Sequence, residues 1–495
     1  MKLQQLFSFF GTSFDEIYDC EVSGIFFDAR QVTKGGVFTA VRGAKTDGHQ
    51  FIAEAIANGA VALVVENKSS VPAEFLKPIL EVADTRKALD QLAAKFYDFP
   101  SNKLFCFGVT GTNGKTSITY ILEHILNANQ KITGVMGTVN HRVLNQIWSS
   151  EMTTPDQVMV QKRLSEFLNC NAICAALEVS SHALDQKRAD SVQFNTVIFT
   201  NLTLDHLDYH PNMQHYFSAK QRLFTDLLWS SNKKPQFAIV NTDDSYGRKL
   251  KVADSAIVWT YGQKESDFQF KILKMNYSET EFELKTPIES IIMTVPLSGV
   301  HMIYNCVASC IGALTAGISL EQSAESLKNF AGVPGRLQLV NSKSKKTVFV
   351  DYAHTPDALD NVLTSLVTVR KFINVSSKLI VVFGCGGDRD KSKRPLMAEA
   401  AAKHADYVFI TSDNPRTENA VSIIDQIVVG LPMNFKNYRA LENREDSIQE
   451  AISMAAPGDV VLIAGKGHED YQIIGTQKIR FSDVEIAQKY LKDSQ

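Results

Sequence analysis

Residues 104–116 read LFCFGVTGTNGKT, an apolar run that leads directly into a compact glycine loop. A turn of this kind between a strand and a helix exposes backbone N–H groups and the positive end of the helix to phosphate oxygens. Lys115 is then expected to reach the terminal phosphates of a nucleotide, and the Thr116 hydroxyl to ligate Mg²⁺. The general phosphate-loop pattern requires glycine where this chain has Val109, so the loop is a shorter variant. By itself it predicts nucleotide hydrolysis or group transfer.

The sequence that follows this loop predicts a doubly wound α/β fold. Apolar residues recur at helical spacing directly after the loop, at Ile118, Ile121, Leu122, Ile125 and Leu126. Three further strand candidates lie at residues 173–179, 196–200 and 237–240. Strands that alternate with helices indicate a mostly parallel sheet with helices on both faces.

Two other regions flank this central one. Residues 1–99 contain short strand-like runs and one helix-like stretch, and the sequence YDFPS at residues 97–101 is typical of a linker. A third region starts near Arg336 and carries three apolar runs, at residues 379–383, 407–411 and 460–464. Each run ends in a polar or glycine-rich loop, GCGGDR at 384–389, DNPR at 413–416 and GKGHE at 465–469. Ligands of open α/β sheets bind beyond the carboxyl ends of strands, so these loops predict a second ligand-binding face.

Composition narrows the class of protein. The formal net charge of −3 gives no reason to expect nucleic acid or an anionic membrane as a partner. No run of about 18 uncharged apolar residues exists, so no membrane span is expected, and the N-terminus lacks the features of a targeting segment. The seven cysteines include two pairs at a spacing of four, but no histidines accompany them at zinc-site spacing. Reduced structural thiols and a cytoplasmic location are therefore expected.

Acidic and histidine side chains follow the strand candidates of the central region. Glu178 comes after the apolar run 173–177, where a carboxylate beside a phosphate loop is a natural Mg²⁺ ligand, although a surface turn is the alternative. The next strand leads into NLTLDHLDYH at 201–210, which is too polar for a core segment and is either a solvated loop or part of a site. Lys220 follows in YFSAK, and taken alone it has the pattern of a lysine on a helix surface.

Taken together, four segments resemble the Mur ligase family of peptidoglycan synthesis. They are GTNGKT at 111–116, EVSSH at 178–182, DHLD at 205–208 and the pair Ala219-Lys220. The resemblance spans essentially the whole chain, and its order and spacing are very specific. Within the family, TTP at 153–155, DYAHTPD at 351–357 and the three loops of the third region resemble the branch that adds the third residue of the stem peptide to a UDP-muramoyl dipeptide.

The resemblance implies three α/β domains. Residues 1–99 would form a small domain that binds the uridine nucleotide, and residues 100–337 a central ATP-binding domain with a mostly parallel sheet. Residues 338–495 would form a Rossmann-like domain that binds the incoming amino acid. The implied cofactors are ATP, two Mg²⁺ ions and CO₂, the last as a carbamate on Lys220 that converts a cation into a metal-binding anion.

The resemblance also implies roles for individual residues. Lys115, Lys220 and His182 would be catalytic, with His182 either a contact or a proton acceptor for the amine, or else an orienting residue. The ATP-binding set would be Gly111, Thr112, Asn113, Gly114, Lys115, Thr116, Asn305, Arg336 and Asp351. The metal set would be Thr116, Glu178, His206 and Lys220. The dipeptide set would be Ala29, Thr153, Thr154, Ser180, Gln186 and Arg188.

Three positions depart from the family pattern. Ala29 stands where a serine between Asp28 and Arg30 is usual, Ala44 where a histidine is usual, and Met302 where an asparagine three residues before Asn305 is usual. These departures concern the contacts to the uridine nucleotide and to adenine, not the reaction.

The implied reaction is carboxylate–amine ligation through an acyl phosphate. ATP would phosphorylate the side-chain carboxylate of D-glutamate, and an amine would then displace phosphate. In this branch of the family the DNPR loop accompanies meso-diaminopimelate, and the implied contacts are Arg389, Asp413, Asn414, Arg416, Gly465 and Glu469. Arginines suit a carboxylate, and Asp413 and Glu469 suit an ammonium. L-Lysine is the alternative amine, but it lacks the distal carboxylate that Arg416 would bind.

Two other functions remain alternatives. A folylpolyglutamate synthase shares the phosphate loop and the reaction type, and the three loops of the third region are the feature that discriminates against it. A non-catalytic nucleotide-binding module would not need Glu178, His206 and Lys220 together. For the ligase, the expected partners are small-molecule substrates only, and a monomer is expected.

Overall fold

The computed structural model describes residues 1–43, 46–340, 345–373 and 375–492. The chain divides into two compact units. The first comprises Met1–Leu202, His206–Thr260 and Thr315–Gly317, and the second Thr203–Asp205, Tyr261–Leu314 and Ile318–Gln495. The predicted boundaries after residues 99 and 337 stay predictions, whereas the α/β class with mostly parallel sheets is confirmed.

The N-terminal part of the first unit is a four-stranded parallel sheet. Its strands β1 to β4 pair in chain order: Gly24–Phe26, Gly36–Thr39, Ala62–Val65 and Ile79–Glu81. Helices α1 to α3 accompany it: Leu3–Phe7, Ile52–Ala57 and Thr85–Phe96. Asp84 begins α3 by accepting hydrogen bonds from the backbone N–H groups of Arg86 and Lys87, as expected of an aspartate at a helix N-cap.

A second sheet of the first unit carries the phosphate loop. Strands β5 to β11 are Phe105–Thr110, Thr133–Met136, Asn140–Val143, Gln146–Ser149, Cys174–Glu178, Thr196–Phe199 and Phe237–Asn241. Their spatial order is β11-β10-β5-β9-β6-β7-β8. The first five of these are parallel and almost wholly buried, while β7 and β8 form an antiparallel edge. The three strand candidates predicted after the loop are therefore confirmed as β9, β10 and β11.

Helices on both faces of this sheet complete the doubly wound arrangement. Helices α4 to α8 are Lys115–Ala128, Gln157–Asn169, Ser181–Asp185, Met213–Arg222 and Leu228–Ser230, with a π-helical turn at Leu223–Leu227 joining the last two. The apolar face predicted for α4 is confirmed, since Ile118, Ile121, Leu122, Ile125 and Leu126 are buried. Such a stripe is what a helix packed on a sheet requires.

The second unit begins with an antiparallel meander. This meander consists of β13 to β15, at Phe268–Met275, Thr280–Lys285 and Ser290–Val295. Strand β12 spans Ile257–Gly262, and its last two residues, Tyr261 and Gly262, belong to the second unit and pair in parallel with the start of β13. Strand β14 pairs antiparallel with β13 on one side and with β15 on the other. Helices α9 (Val300–Thr315) and α10 (Leu320–Leu327) follow.

A six-stranded sheet forms the rest of the second unit. Strands β16 to β21 are Gln338–Leu339, Thr347–Asp351, Leu379–Phe383, Tyr407–Thr411, Tyr438–Leu441 and Val460–Ala464, in the order β16-β17-β21-β18-β19-β20. All but β16 are parallel. The accompanying helices α11 to α15 are Pro356–Ile373, Lys393–His404, Ala420–Val428, Arg444–Met454 and Asp483–Lys492, and a hairpin is formed by β22 (Tyr471–Ile474) and β23 (Gln477–Arg480).

The strand order of this sheet brings three predicted loops to one edge. The apolar runs predicted as strands are β18, β19 and β21, and β21 lies between β17 and β18. Because the carboxyl ends of parallel neighbours meet at the same edge, the loops 384–389, 413–416 and 465–469 lie side by side beyond them. None of the helices in the described ranges combines the length and hydrophobicity that a bilayer crossing requires.

Candidate active site

The glycine loop between β5 and α4 has a backbone that only glycine fits easily. Gly111 has a φ of 146°, and a Cβ atom at this position would lie 1.8 Å from Thr200 Oγ1. Gly114 has a φ of 91° and directly precedes the first turn of α4. A positive φ costs little for glycine and much for other residues. The sequence motif thus reflects a close approach of the loop to the end of β10.

Residues after β10 hold the loop in place. The Thr112 N–H donates to Asn201 O at 2.9 Å, and the Asn113 N–H donates to Asn201 Oδ1 at 3.0 Å. Thr200 Oγ1 donates to the Asn113 carbonyl at 2.6 Å. The loop is therefore fixed by a neighbouring strand before any ligand binds, which is the preorganisation that anion binding at a helix N-terminus needs.

Two lysines converge on one carbonyl oxygen of the loop. Lys115 Nζ donates to Gly111 O at 2.8 Å and to Thr112 O at 2.9 Å, and Lys220 Nζ donates to Gly111 O at 2.8 Å. Lys220 is only 1% exposed, and its ammonium also lies 4.6 Å from the centre of the Tyr216 ring. The surface position that the pattern around Lys220 favoured is therefore wrong, because α7 turns this side chain toward the phosphate loop.

Glu178, at the end of β9, is a carboxylate in contact with the last residue of the loop. It is 1% exposed, and its Oε2 accepts hydrogen bonds from Thr116 Oγ1 and Thr138 Oγ1, each at 3.0 Å. Its Oε1 accepts from the Thr138 N–H at 3.0 Å. A Cβ at Gly137 would lie 2.1 Å from Oε1, so the chain approaches the carboxylate closely here. The surface turn that was the alternative for Glu178 is excluded by this burial.

The donor set around Glu178 fits a magnesium ion. Thr116 Oγ1 and Glu178 Oε2 are hard oxygen ligands 3.0 Å apart beside a phosphate loop, and Mg²⁺ prefers one or two protein oxygens together with substrate phosphates and water. Within the described residues, no point gathers three or more His, Cys, Asp or Glu side chains around a common centre. The chemistry of the donors thus favours an ion held jointly with a nucleotide rather than a cage made of protein alone.

The five residues predicted for the dipeptide in the central region lie in one hydrogen-bonded network. Thr154 Oγ1 donates to the Glu178 carbonyl at 2.7 Å and accepts from the Ser180 N–H at 3.0 Å. Arg188 donates to Thr154 O at 2.8 Å and, through Nη2, to Gln186 Oε1 at 2.7 Å. Thr153 Oγ1 lies within hydrogen-bond distance of Thr138 Oγ1, at 3.1 Å. Thr153, Thr154, Ser180, Gln186 and Arg188 therefore adjoin Glu178.

Aromatic and imidazole rings line the next part of this unit. His182 lies in a T-shaped contact with His206, with ring centres 4.9 Å apart, and 4.2 Å from the ring of Tyr209. Burial, followed by the charge of Arg188, lowers the pKa of His182 below its usual value. Tyr209 donates to Asp185 Oδ2 at 2.6 Å and accepts from Gln186 Nε2 at 3.1 Å. His206 has a left-handed backbone, with a φ of 55°.

The N-terminal sheet gives a different setting to Ala29. This residue is 4% exposed, and its methyl group packs in a hydrophobic cluster with Phe38 and Leu63. Its carbonyl accepts a hydrogen bond from Asn58 Nδ2 at 2.9 Å. A binding role for Ala29 would have to use its backbone rather than its side chain. Ala44, the second departure from the family pattern, lies outside the described residues.

Three predicted nucleotide contacts belong to the second unit. Asp351, at the end of β17, accepts from the backbone N–H groups of Leu337 at 2.5 Å and Ala353 at 2.8 Å. Burial raises the pKa of Asp351, and the charge of Arg336 opposes that rise. The Arg336 guanidinium lies over the Tyr352 ring at 4.6 Å. Asn305 instead contacts Met302 within its own helix, where its Nδ2 lies 3.9 Å from the sulfur.

The loops beyond β18 and β19 pack on each other. A Cβ at Gly387 would lie 1.9 Å from Pro415 O, and one at Gly386 would lie 2.9 Å from Arg416 Nη1 and 3.8 Å from Arg389 Cγ. Arg416 has a φ of 52° and donates through Nη1 to Gly387 O at 2.8 Å. The two arginines predicted for a carboxylate therefore flank the same glycine.

The loop beyond β21 adjoins the loop beyond β19 and places Glu469 beside it. Asn414 Nδ2 donates to Glu469 Oε2 at 3.0 Å, although the two residues are 55 positions apart. A Cβ at Gly465 would lie 3.0 Å from Asp413 Oδ2, and Gly465 has a φ of 116°. All six residues predicted for the amino acid, namely Arg389, Asp413, Asn414, Arg416, Gly465 and Glu469, thus lie along one sheet edge.

Three residues of these sites were not singled out from the sequence. Thr138 contacts Glu178 twice, Tyr209 links Gln186 to Asp185, and Lys466 lies between Asn414 and Glu469. Tyr209 and Lys466 lie in segments that the sequence already predicted as polar loops, so their position in the chain could have identified them as site residues. Thr138 follows a short strand without any such signal.

Comparison with known families matches three parts of the chain. Residues 21–97 match the model described as "Mur ligase family, catalytic domain", residues 109–313 "Mur ligase middle domain", and residues 335–467 "Mur ligase, glutamate ligase domain". The three matches follow the order of the regions described above.

Individual relatives agree along almost the full length. The UDP-N-acetylmuramoyl-L-alanyl-D-glutamate--2,6-diaminopimelate ligase of Geobacter sulfurreducens is 40% identical over 484 residues, covering 94% of each chain. A solved structure of a ligase with the same printed name has a TM-score of 0.72 at 31% identity, covering 100% of this chain and 99% of the other. The MurF ligase of Thermotoga maritima in complex with ADP has a TM-score of 0.63 at 20% identity, covering 97% of this chain and 100% of the other, and shows a shared fold.

Proposed function

The chain belongs to the Mur ligase family, and we propose that it joins meso-2,6-diaminopimelate to the D-glutamate side-chain carboxylate of UDP-N-acetylmuramoyl-L-alanyl-D-glutamate. The reaction consumes ATP, forms ADP and phosphate, and contributes to peptidoglycan precursor synthesis. A full-length relative that is 40% identical, and a solved structure that matches the whole chain, carry the name of this ligase. Both support the diaminopimelate ligase over L-lysine ligation and over a folylpolyglutamate synthase.

The observation that carries the proposal is the position of Glu178 between two groups of residues. Its carboxylate accepts from Thr116, the last residue of the phosphate loop, and its carbonyl accepts from Thr154 in the predicted dipeptide set. A nucleotide on the loop and a carboxylate substrate on the Thr154 network would therefore be neighbours. Phosphoryl transfer depends mainly on such positioning and on electrostatic stabilisation.

In the first step, an oxygen of the D-glutamate carboxylate attacks the γ-phosphorus of ATP, and the bond from that phosphorus to the β-bridging oxygen breaks. The products are an acyl phosphate and ADP. Lys115, with the positive N-terminal end of α4, would hold the phosphates as negative charge develops. Thr116, Glu178, His206 and a carbamylated Lys220 would hold two Mg²⁺ ions, which when bound neutralise phosphate charge.

In the second step, the amine of the incoming amino acid attacks the acyl carbon, and phosphate leaves with one former carboxylate oxygen. The amine must lose a proton in this step. His182 stays a candidate for contacting or orienting the amine, because it lies beside Tyr209, which bonds Gln186 of the dipeptide set. Water has to be excluded, since it would hydrolyse the acyl phosphate.

The carbamate on Lys220 is the part of the proposal with the most specific chemistry. The ammonium of Lys220 now donates to Gly111 O inside the protein. CO₂ adds to the deprotonated amine, forms an N–C bond and releases a proton, which leaves an anionic carbamate. Lys220→Ala is expected to lose turnover while ATP binding persists, and ¹³C-bicarbonate should give a carbamate NMR signal in the wild type that the variant lacks. Persistent turnover in the variant would refute the carbamate.

The choice of diaminopimelate follows from the charges on the loops of the second unit. Its distal end carries both an ammonium and a carboxylate, and the loops offer Arg389 and Arg416 for the carboxylate and Asp413 and Glu469 for the ammonium. Arginine pairs with carboxylates in bidentate geometry. L-Lysine would place a lone ammonium beside Arg416, a juxtaposition of like charges that disfavours it.

The test is an assay of phosphate release with the UDP-muramoyl dipeptide and ATP, offering diaminopimelate, L-lysine or L-ornithine in turn, with the product identified by mass. Phosphate release that depends on diaminopimelate, together with the tripeptide mass, is expected. A product with L-lysine alone would overturn the assignment of the amine, and phosphate release without any ligated product would overturn the ligase. The monomeric state and the cytoplasmic location stay predictions of the sequence.

A further inference from the structure

Lys466 is a fully buried lysine in the loop beyond β21. Its side chain is 0% exposed, and its ammonium lies 3.0 Å from Glu469 Oε2, 3.2 Å from Asn414 Oδ1 and 3.6 Å from Asp413 Oδ1. It also lies 5.5 Å from the centre of the Tyr471 ring. A buried lysine is costly unless it is paired, so three oxygen partners on two separate loops are the reason that it is stable there.

The lysine determines how Asn414 and Glu469 face the pocket. Asn414 Oδ1 accepts from Lys466 Nζ and from the Ile473 N–H at 2.9 Å, so its Nδ2 must point to Glu469, to which it donates. Glu469 Oε2 thus accepts from both Lys466 and Asn414. Among the described residues, Oε1 of Glu469 has no hydrogen-bond partner, which leaves this oxygen for a ligand.

The lysine also sets the charge of the pocket. Asp413 and Glu469 contribute two negative charges, and Arg389, Arg416 and Lys466 contribute three positive ones, so the five side chains carry a net charge of +1. A net positive pocket repels a lone ammonium and accepts a distal end that also carries a carboxylate. Without Lys466 the pocket would be neutral and would suit a lone ammonium better.

Other contacts hold the two loops together independently of Lys466. Arg444 donates to Ala464 O at 3.0 Å and to Ser412 O at 3.4 Å, the residues just before each loop. Gln472 Nε2 donates to Asp413 O at 2.6 Å. A change at Lys466 is therefore expected to alter charge and side-chain orientation more than the path of the backbone.

We propose that Lys466 is a positioning residue that determines specificity: it orients Asn414 and Glu469 and offsets one of the two carboxylate charges of the amino-acid pocket, so that a zwitterionic distal end is preferred over a lone ammonium. The proposal rests on the ligase activity proposed above and assigns to it the residue that sets amine selectivity. Lys466 itself touches the two loops rather than the reacting atoms.

The test is competition between meso-diaminopimelate and excess L-lysine, with the two tripeptide products quantified by mass. Lys466→Met is expected to lower the ratio of kcat/KM for diaminopimelate to that for lysine at least about tenfold, since it removes one unit charge from a desolvated pocket. The fall in kcat/KM for diaminopimelate is expected to come from a higher KM for diaminopimelate, with little change in kcat or in the KM for ATP. Lys478→Met is the control, because Lys478 lies 3.7 Å over the same Tyr471 ring but is exposed.

A second pair of variants keeps the test decisive if Lys466→Met fails to fold. Glu469→Gln should raise the ratio, and Lys466→Met combined with Glu469→Gln should bring it back toward wild type, because the double variant restores the net charge. A ratio that none of these variants changes, or a double variant no closer to wild type than the singles, would overturn the proposal. Absence of a diaminopimelate product with the wild type would instead overturn the ligase function itself.

Discussion

The phosphate-loop site of the first unit and the amino-acid pocket of the second unit are built in opposite ways. Around the phosphate loop, two lysines meet at one backbone carbonyl, and a single carboxylate is held by hydroxyl and backbone donors. In the amino-acid pocket, carboxylates, an amide and a buried ammonium meet side chain to side chain. The first site thus depends on the path of the backbone, and the second on the balance of charge.

This difference separates the changes that should damage each site. A backbone-built site should fail when a Cβ atom is added, even if no charge changes. A site that depends on charge balance should tolerate an uncharged substitution that alters side-chain size better than the loss of one charged side chain. The predictions below test this contrast, from the largest expected effect to the smallest.

The largest effect is expected from Arg444→Met, which removes a buried cation beneath the amino-acid pocket. Arg444 and Asp483 are both 0% exposed and are paired at 2.7 Å, so the variant leaves a buried carboxylate unpaired. The free energy of unfolding should fall by about 3–5 kcal/mol. Urea unfolding followed by circular dichroism measures this. Arg480→Met, which breaks the exposed pair with Glu485, is the control and should leave the midpoint unchanged. Equal effects of the two variants would contradict the account.

Gly111→Ala tests the backbone-built site without changing any charge. The added methyl would meet Thr200 Oγ1 at 1.8 Å and would displace the carbonyl that both lysines contact. Turnover should fall by about 100-fold or more, the scale of loss for a reactant misplaced by about 1 Å. Steady-state kinetics and calorimetric titration with ATP measure this. Gly317 also has a positive φ, of 82°, but a Cβ atom added there would have no neighbour within 4 Å, so Gly317→Ala should retain activity. Full activity of Gly111→Ala would exclude the close approach.

Arg416→Ala tests the charge-built pocket. The guanidinium flanks Gly386 and Gly387 beside Arg389, where it would bind the distal carboxylate. The KM for diaminopimelate should rise at least about tenfold, the loss expected for one charge-assisted interaction, while the KM for ATP stays within error. An unchanged KM for diaminopimelate would show that Arg416 does not bind the distal carboxylate.

A separate effect, on the pH dependence of stability, concerns Asp90, a buried acid of helix α3. Burial raises the pKa of Asp90 to about 8, with nearby Asp190 adding to the rise and Ser191 opposing it. The folded chain therefore keeps this proton up to pH 8, whereas the unfolded chain releases it near the ordinary value of about 3.9. Its contribution to stability is complete below that value and is lost as pH rises toward 8.

Asp90→Asn removes this titration. The melting temperature of the variant relative to wild type should increase steadily between pH 5 and pH 8. Differential scanning calorimetry at four pH values in this range measures it, and Glu74→Gln at an exposed site is the control. A difference between variant and wild type that does not change with pH would show that Asp90 does not titrate in this range.

The sequence predicted those parts of the fold that rest on local patterns. The strands β5, β18, β19 and β21 are continuous apolar runs bounded by glycine or polar residues, and such runs are buried in parallel sheets. Helix α4 was predicted from the helical spacing of its apolar residues. The antiparallel strands β13 to β15 were not predicted, because half of their side chains face outward and leave no continuous apolar run. The β7–β8 edge was missed because β7 buries the polar side chains of His141 and Arg142 and β8 is mostly exposed.

The sites were predictable to different extents for a physical reason. The residues of the phosphate loop are contiguous in the chain, so the motif can be recognised from the sequence alone. Lys220 gave no local signal, because its burial depends on how α7 packs against a loop more than 100 residues earlier. The role of Lys466 gave no local signal either, because Asn414 comes within reach of it only through the sheet order β21-β18-β19.

The central claim, that the D-glutamate carboxylate is activated by phosphorylation on the first unit, is tested most directly with an isotope. The UDP-muramoyl dipeptide is prepared with both γ-carboxylate oxygens of D-glutamate as ¹⁸O and is ligated to diaminopimelate with unlabelled ATP. Because phosphate leaves the acyl phosphate with one carboxylate oxygen, each phosphate released should carry one ¹⁸O and ADP should carry none. Ligated tripeptide accompanied by unlabelled phosphate would contradict the account.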